Sequence, residues 1–281
     1  LLSDRVGEKI GSELLSLDTI EEKMILAILL STAIWLIIAV KTHLPISTTH
    51  TVVGSVFGVA VLYAIINKVT LINTLDFNTL GLIIFGWFLS PILGFFGAII
   101  MRKALLPLLK KYNDGLKPVE KIEGVFRIII IIAACVNQFS RAGNDSGNAV
   151  GIYISLANRN PTLNSFTTVF VVISGILFAM GLYLIGKKLV INVGQNTTGQ
   201  YRPSEALAVE VTTALILFIC TLFGLPVSGG HILIFAMIGY ARTRGEKPNM
   251  KNLRKMIYYW VITFPIAAIL SFILYGSILL F

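Results

Sequence analysis

Apolar runs recur along the chain at Met24–Val40, Thr51–Ile66, Thr79–Ile100, Val125–Phe139, Leu163–Ile185, Ala206–Phe223, Ile232–Tyr240 and Ile257–Phe281. A helix needs about 20 apolar residues to cross the hydrocarbon of a bilayer. Three runs, Thr79–Ile100, Leu163–Ile185 and Ile257–Phe281, have 22 to 25 residues and can each span alone. The shorter runs come in pairs split by polar, small-residue segments at Thr42–His50, Ser140–Asn148 and Gly224–His231. Lipid offers no hydrogen bonds, so backbone that leaves helix at such a depth must be buried in protein or line a wet cavity. The pattern therefore predicts helices throughout, with breaks or re-entrant turns at the three splits.

Charge gives these segments sides. The Arg102–Lys121 segment holds six basic and two acidic residues, and Arg242–Lys255 holds six basic and one acidic. Positive loops stay in the cytoplasm. Asn67–Asn78 has one Lys and one Asp, and Leu1–Lys23 has three basic and six acidic residues, so both are assigned outside. The pairs around Pro45 and Pro226 must then return to the side they entered from. The pair around Asp145 must make one net crossing as a broken helix.

Composition agrees. Hydrophobic residues make up 56% of the 281 residues and charged residues 13%, which excludes a soluble enzyme, a disordered chain or a disulfide scaffold. The net charge of +9 resides in the two basic segments, +4 and +5, and everything else cancels. It orients the chain in the bilayer and does not call for a nucleic-acid partner. Cys135 and Cys220 lie inside apolar runs and read as small core residues.

An internal repeat is legible. Leu44-Pro45-Ile46-Ser47-Thr48-Thr49-His50 superimposes on Leu225-Pro226-Val227-Ser228-Gly229-Gly230-His231 at an offset of 181 residues. The same offset places Gly58 on Gly239, Thr32 on Thr213 and Ala33 on Ala214. The loops that follow, Asn67–Asn78 and Arg242–Lys255, carry opposite side assignments. Together these predict an inverted-topology repeat. Residues 1–100 form a first repeat, 101–121 a basic cytoplasmic linker and 122–281 a second repeat.

These residues resemble the inorganic phosphate transporter (PiT) family. Pro45 through His50 with Gly54 is similar to its P-x-S-T-T-H-x-x-x-G signature. Arg141-Ala142-Gly143-Asn144-Asp145-Ser146-Gly147-Asn148-Ala149 resembles its G-A-N-D-x-A-N-A signature. The resemblance covers essentially the whole chain. It implies an all-α polytopic protein of the cell membrane that imports inorganic phosphate with Na+ or H+ as coupling ion, needs no cofactor and forms a homodimer. Two departures stand out: the second Ser-Thr-Thr-His is Ser228-Gly229-Gly230-His231, and only one G-A-N-D-like segment occurs where the family has two. The counterpart of Asp145 would fall 36 residues before Leu1. On that reading the first repeat is truncated, with roughly 60 residues and a second Asn-Asp pair expected ahead of Leu1.

The chemistry of the motifs fits this. Proline, then hydroxyl residues, then an apolar run reads as a helix start. Helix N-termini present free N–H groups and positive partial charge, which favour anions. Ser47, Thr48 and Thr49 add hydroxyl donors, and Ser228, Gly229 and Gly230 add one hydroxyl and closely approachable backbone. All six are candidates to hold a tetrahedral oxyanion, with Asn148 beside them; the bland account of the serines and threonines is capping alone. Asp145 at mid-membrane disfavours insertion by about 2.5–3.5 kcal/mol, so it should face a path or a cation. With Asn144 it suits Na+ or a proton, the broken helix supplying further carbonyls. Its bland partner is Arg141, one turn earlier, as a structural ion pair. Glu210 is either a pathway residue or an interfacial one paired with Lys187, Lys188 or Arg202. His50 and His231 occupy matching positions and serve either as packing or as accessory anion or proton groups.

Three other readings stay open: a sulfate permease of the same family, a passive anion channel, and an intramembrane hydrolase using Ser47 or Ser228 with a histidine. The last lacks an acidic residue to orient the histidine.

Overall fold

The computed structural model describes residues 4–15, 20–42, 46–111, 116–157, 160–186 and 201–281. The described residues are almost wholly helical, their one β feature being an isolated bridge between Leu15 and Leu75. The helices are α1 (Asp4–Glu8, continued by a π-helical turn, Lys9–Glu13), α2 (Glu22–Lys41), α3 (Thr48–Asn67), α4 (Leu71–Thr74), α5 (Phe77–Lys111) and α6 (Leu116–Ala157). After them come α7 (Pro161–Gly181, continued by Leu182–Gly186), α8 (Pro203–Leu222), α9 (Gly229–Thr243) and α10 (Met250–Ile278). Among the described residues six spans are long and apolar enough to cross a membrane: Glu22–Lys41, Thr48–Asn67, Phe77–Pro107, Pro161–Leu184, Pro203–Leu222 and Met250–Ile278.

Two of the three splits are real helix breaks, between α2 and α3 and between α8 and α9. The second is built locally. Gly224 adopts φ +65°, which only glycine takes without strain. Its N–H donates to the Thr221 carbonyl and the Leu225 N–H to the Cys220 carbonyl, closing α8 in a Schellman turn. Arg5 adds a side-chain bond to the Leu222 carbonyl at 2.7 Å. At the first break, His43, Leu44 and Pro45 lie outside the described residues.

The third split is a correction. Ser140–Asn148 runs without interruption through the 42-residue α6. No proline interrupts this segment, and its glycines serve close packing. A Cβ on Gly147 would stand 2.8 Å from the Val6 side chain, and one on Gly151 2.4 Å from Gly7 backbone, so α1 lies directly on this face. The backbone carbonyls there stay in the helix ladder. The linker expected at 101–121 is likewise helical wherever it is described, because α5 extends to Lys111 and α6 starts at Leu116. Its Leu and Lys residues are good helix formers. Cys220 is buried as expected, but Cys135 is exposed, on a face of α6 shared with Ile128, Ile131 and Ile132.

Elements at the 181-residue offset match in start and, for one pair, in length. Helices α2 and α8 both have 20 residues and start 181 apart, as do the starts of α3 and α9. The starts of α5 and α10 are 173 apart, the second unit being eight residues shorter (181 less 173) between those starts. The partners are exchanged: α3 packs on α10 and α9 on α5. A Cβ on Gly58 would fall 1.9 Å from the Ala268 carbonyl oxygen, and one on Gly239 2.2 Å from that of Phe95. Both pairs are backbone-to-backbone crossings that only glycine permits.

The loops meet in pairs. The Asp76 N–H donates to the Leu14 carbonyl at 3.1 Å, so the two segments assigned outside share one end of the bundle. Arg102 donates to the Thr243 carbonyl at 2.6 Å, joining the two basic segments at the other. Helix α5 runs from the first end to the second. Helix α3 leads back to the first end and α9 ends at the second, so the two motif helices run oppositely.

Candidate functional site

Each motif starts its helix as the residue types require. Ser47 is the N-cap of α3 and accepts the His50 N–H at 3.3 Å. Ser228 is the N-cap of α9 and accepts the His231 N–H at 3.4 Å. A side-chain oxygen at the N-cap satisfies one of the otherwise free amide donors of the first turn. The two starts also touch each other, Thr49 donating from its hydroxyl to the Val227 carbonyl at 3.4 Å.

Helix α6 lies against both starts and brings the polar motif to them. The Thr48 hydroxyl donates to Asp145 Oδ1 at 3.1 Å. Asn148 donates to Thr49 Oγ1 at 3.2 Å. Asn144 donates to Thr221 Oγ1 at 3.2 Å and to the Leu225 carbonyl at 3.1 Å, reaching the turn before α9. Successive residues of this set are one or three positions apart on α6, and Arg141–Asp145 and Asn144–Asn148 four, so one helical face carries Asn144, Asn148 and, beside them, Asp145 and Arg141. Asn144 and Asn148 are 1% and 2% exposed, and among the described residues their Oδ1 atoms accept no hydrogen bond. Buried acceptors without donors are costly in an apolar interior and suit a cation. The carbonyls expected from a broken helix are thus replaced by side-chain oxygens on an unbroken one.

Arg141 completes the site. Its Nε lies 3.7 Å from Asp145 Oδ2, one turn away. Its guanidinium also lies on the start of α9: a Cβ added to Gly229 would be 3.1 Å from Arg141 Nε and 3.3 Å from Nη2. The start of α9 therefore has an arginine beside it, which the sequence by itself shows only as a partner of Asp145. The signal was present in the sequence as the loss of two threonines, Thr48 and Thr49 becoming Gly229 and Gly230 in the repeat.

The remaining candidates lie apart from this cluster. His50 and His231 face each other with ring centroids 5.0 Å apart. Each packs with tilted rings against a tryptophan of a long helix, His50 on Trp87 of α5 at 3.9 Å and His231 on Trp260 of α10 at 3.8 Å between centroids. His50 Nδ1 bonds the Trp260 carbonyl at 3.0 Å. Both Ser Oγ atoms are engaged with backbone N–H groups, so the serine–histidine pairs have a capping geometry rather than a nucleophile–base one. Glu210 accepts a short hydrogen bond from Asn137 of α6. Of its expected basic partners, Lys187 and Lys188 lie outside the described residues. The N–H of Arg202 instead binds the Glu205 carboxylate at the start of α8. Asn137 and the α6 face that carries it had no sequence signal, because one Asn-Gln pair inside an apolar run shows no period.

Comparison with known proteins adds independent findings. A model of the phosphate transporter family matches residues 1–117 and 104–271. A Bacillus subtilis protein named as a probable low-affinity inorganic phosphate transporter is 28% identical, over 90% of this chain and 73% of its own length. Sodium-dependent phosphate transporter 1 of Rattus norvegicus is 26% identical over 60% of this chain and 25% of its own. A solved structure described as the sodium-dependent phosphate transporter superimposes with a TM-score of 0.84 at 20% identity, covering 99% of this chain and 85% of that one. That last likeness is one of fold.

Proposed function

Because the chain belongs to the phosphate transporter family, we propose that it imports inorganic phosphate as a secondary transporter driven by Na+ or H+. The family is one of multi-pass membrane transporters and not of enzymes, which removes the hydrolase reading. The observation that carries the proposal is the convergence on one face of α6 of two Ser-capped helix starts, Ser47 and Ser228, with Asp145 held by the Thr48 hydroxyl. In this reading the oxyanion lies at the hydroxyl and amide donors of Ser47 to Thr49 and Ser228 to Gly230, with the Asn148 amide close by. The cation takes Asp145 and the unpaired Asn144 carbonyl oxygen. The inverted repeat belongs to the same proposal, since oppositely directed half-helices let one central site open to either side in turn.

Phosphate at neutral pH keeps at least one O–H that can donate to a carboxylate or carbonyl, which sulfate lacks. Asp145 and the two Asn carbonyls are such acceptors, so phosphate is favoured over sulfate. The test is uptake of labelled phosphate into proteoliposomes under an imposed Na+ gradient, an imposed pH gradient, or neither. Gradient-driven accumulation that Asp145→Asn removes supports a coupled transporter. Flux without a gradient that survives Asp145→Asn makes the protein a passive channel. Full suppression by excess sulfate shifts the cargo to sulfate. Cross-linking in native membranes would test the homodimer.

A further inference from the structure

Arg141 has an unusual position for a mere counter-ion. Its separation from Asp145, 3.7 Å, exceeds hydrogen-bond distance, although one helical turn would allow close contact. Its planar group lies instead against the first residues of α9, near Gly229 and Gly230. A helix N-terminus carries about half a positive charge and free amide donors. A guanidinium placed there sees like polarity, and the arrangement becomes favourable when an oxyanion joins the two. Glycine is what makes room. The residue at the 181 offset is Thr48, and a Cβ at 229 would stand 3.1 Å from Arg141 Nε, so a threonine there would press on the guanidinium. Asp145, for its part, keeps a second partner in the Thr48 hydroxyl at 3.1 Å.

We propose that Arg141 is the coupling switch of this site: its guanidinium lies between Asp145 and the start of α9, its charge serving the carboxylate until an oxyanion at Gly229 and Gly230 engages it and leaves Asp145 to take the coupling cation. This deepens the transport reading and rests on it. Positive charge near Asp145 repels Na+ or a proton, so the unloaded site resists the cation. Once the guanidinium serves the anion, the carboxylate is released with its Thr48 bond intact, and the Asn144 and Asn148 carbonyl oxygens lie close by on α6. Anion and cation then bind with positive cooperativity, the thermodynamic requirement for coupled movement. Linkage makes the effect reciprocal: phosphate raises cation affinity by the factor by which the cation raises phosphate affinity.

The experiment measures phosphate and Na+ binding to purified protein in nanodiscs, each with and without the other. Where Na+ is without effect, proton uptake replaces it, read by a pH indicator. In the natural protein the coupling factor should exceed roughly fivefold. In Arg141→Gln phosphate binding should weaken by roughly 10- to 100-fold. Cation affinity without phosphate should rise, and the coupling factor should fall towards one. That rise distinguishes a switch from a structural role, which would lower both affinities and keep their ratio. Gly229→Ala, which keeps the charge and crowds the guanidinium, should reduce the coupling factor part-way and serves if Arg141→Gln fails to fold. An unchanged coupling factor in either folded variant overturns the proposal. A natural protein that binds neither phosphate nor sulfate overturns the transport reading instead.

Discussion

Adding one methyl group at Gly58 or Gly239 should push a helix that carries a motif serine away from its long partner helix. In Gly58→Ala the new Cβ would stand 1.9 Å from the Ala268 carbonyl oxygen, and in Gly239→Ala 2.2 Å from that of Phe95. An ordinary carbon–oxygen contact is about 3.4 Å, so α3 and α10, or α9 and α5, must part by more than about 1 Å. A gap of 0.5–1 Å already forfeits roughly a quarter to a half of the dispersion attraction between facing atoms. Overpacking typically costs about 1–3 kcal/mol, and these rigid backbone contacts place both variants near the top of that range. For a chain of this size that corresponds to a fall in melting temperature of roughly 6–12 °C. Gly81 and Gly175 supply the control, being helical glycines where an added Cβ would meet nothing within 4 Å. Alanine there should be neutral or stabilise by up to about 1 kcal/mol through helix propensity. Thermal unfolding of detergent-purified variants, followed by tryptophan fluorescence, reads the four values. Matched losses at Gly58 and Gly239 are expected because the contacts are repeat-related. Neutrality of either one would refute the close crossing on which the placement of Ser47 and Ser228 depends.

Ser47→Ala and Ser228→Ala should each cost about 1 kcal/mol through loss of an N-cap, measured by thermal unfolding, and the two losses should be similar. Asn144→Leu keeps the branched shape of the side chain but orphans the Leu225 carbonyl, so it should cost about 1–3 kcal/mol and remove any stabilisation of the protein by Na+. Retention of full Na+ stabilisation would remove Asn144 from the cation site. Gly224→Ala forces a side chain into the left-handed region at φ +65° and against Arg5, and should destabilise by about 1 kcal/mol or more. Protease cleavage after α8 should rise with it.

What the residues determined alone is local and periodic. Apolar runs of bilayer length become helices because lipid leaves the backbone no other partner, and every described run is helical. Ser47 and Ser228 announce helix starts because a hydroxyl followed by an apolar run caps the first turn, and both do so. The 181-residue offset recurs in the boundaries of α2, α3, α8 and α9 for the same reason, since boundaries follow local sequence. Charge counting paired the loops correctly, the basic segments meeting at Arg102 and Thr243 and the others at Leu14 and Asp76.

Tertiary structure decided which polar groups meet. Thr48 and Asp145 are 97 residues apart, Asn144 and Leu225 81, and Asn137 and Glu210 73, separations over which side-chain pattern carries no register. It kept α6 unbroken because the glycines near Asp145 are used to admit α1, and because the polar side chains find their partners on other helices. It also placed the Arg141 guanidinium against the α9 start while leaving it 3.7 Å from Asp145. Sequence shows that pair as one helical turn and shows Gly229 where the first motif has a threonine; only packing shows that the guanidinium lies within van der Waals reach of that glycine.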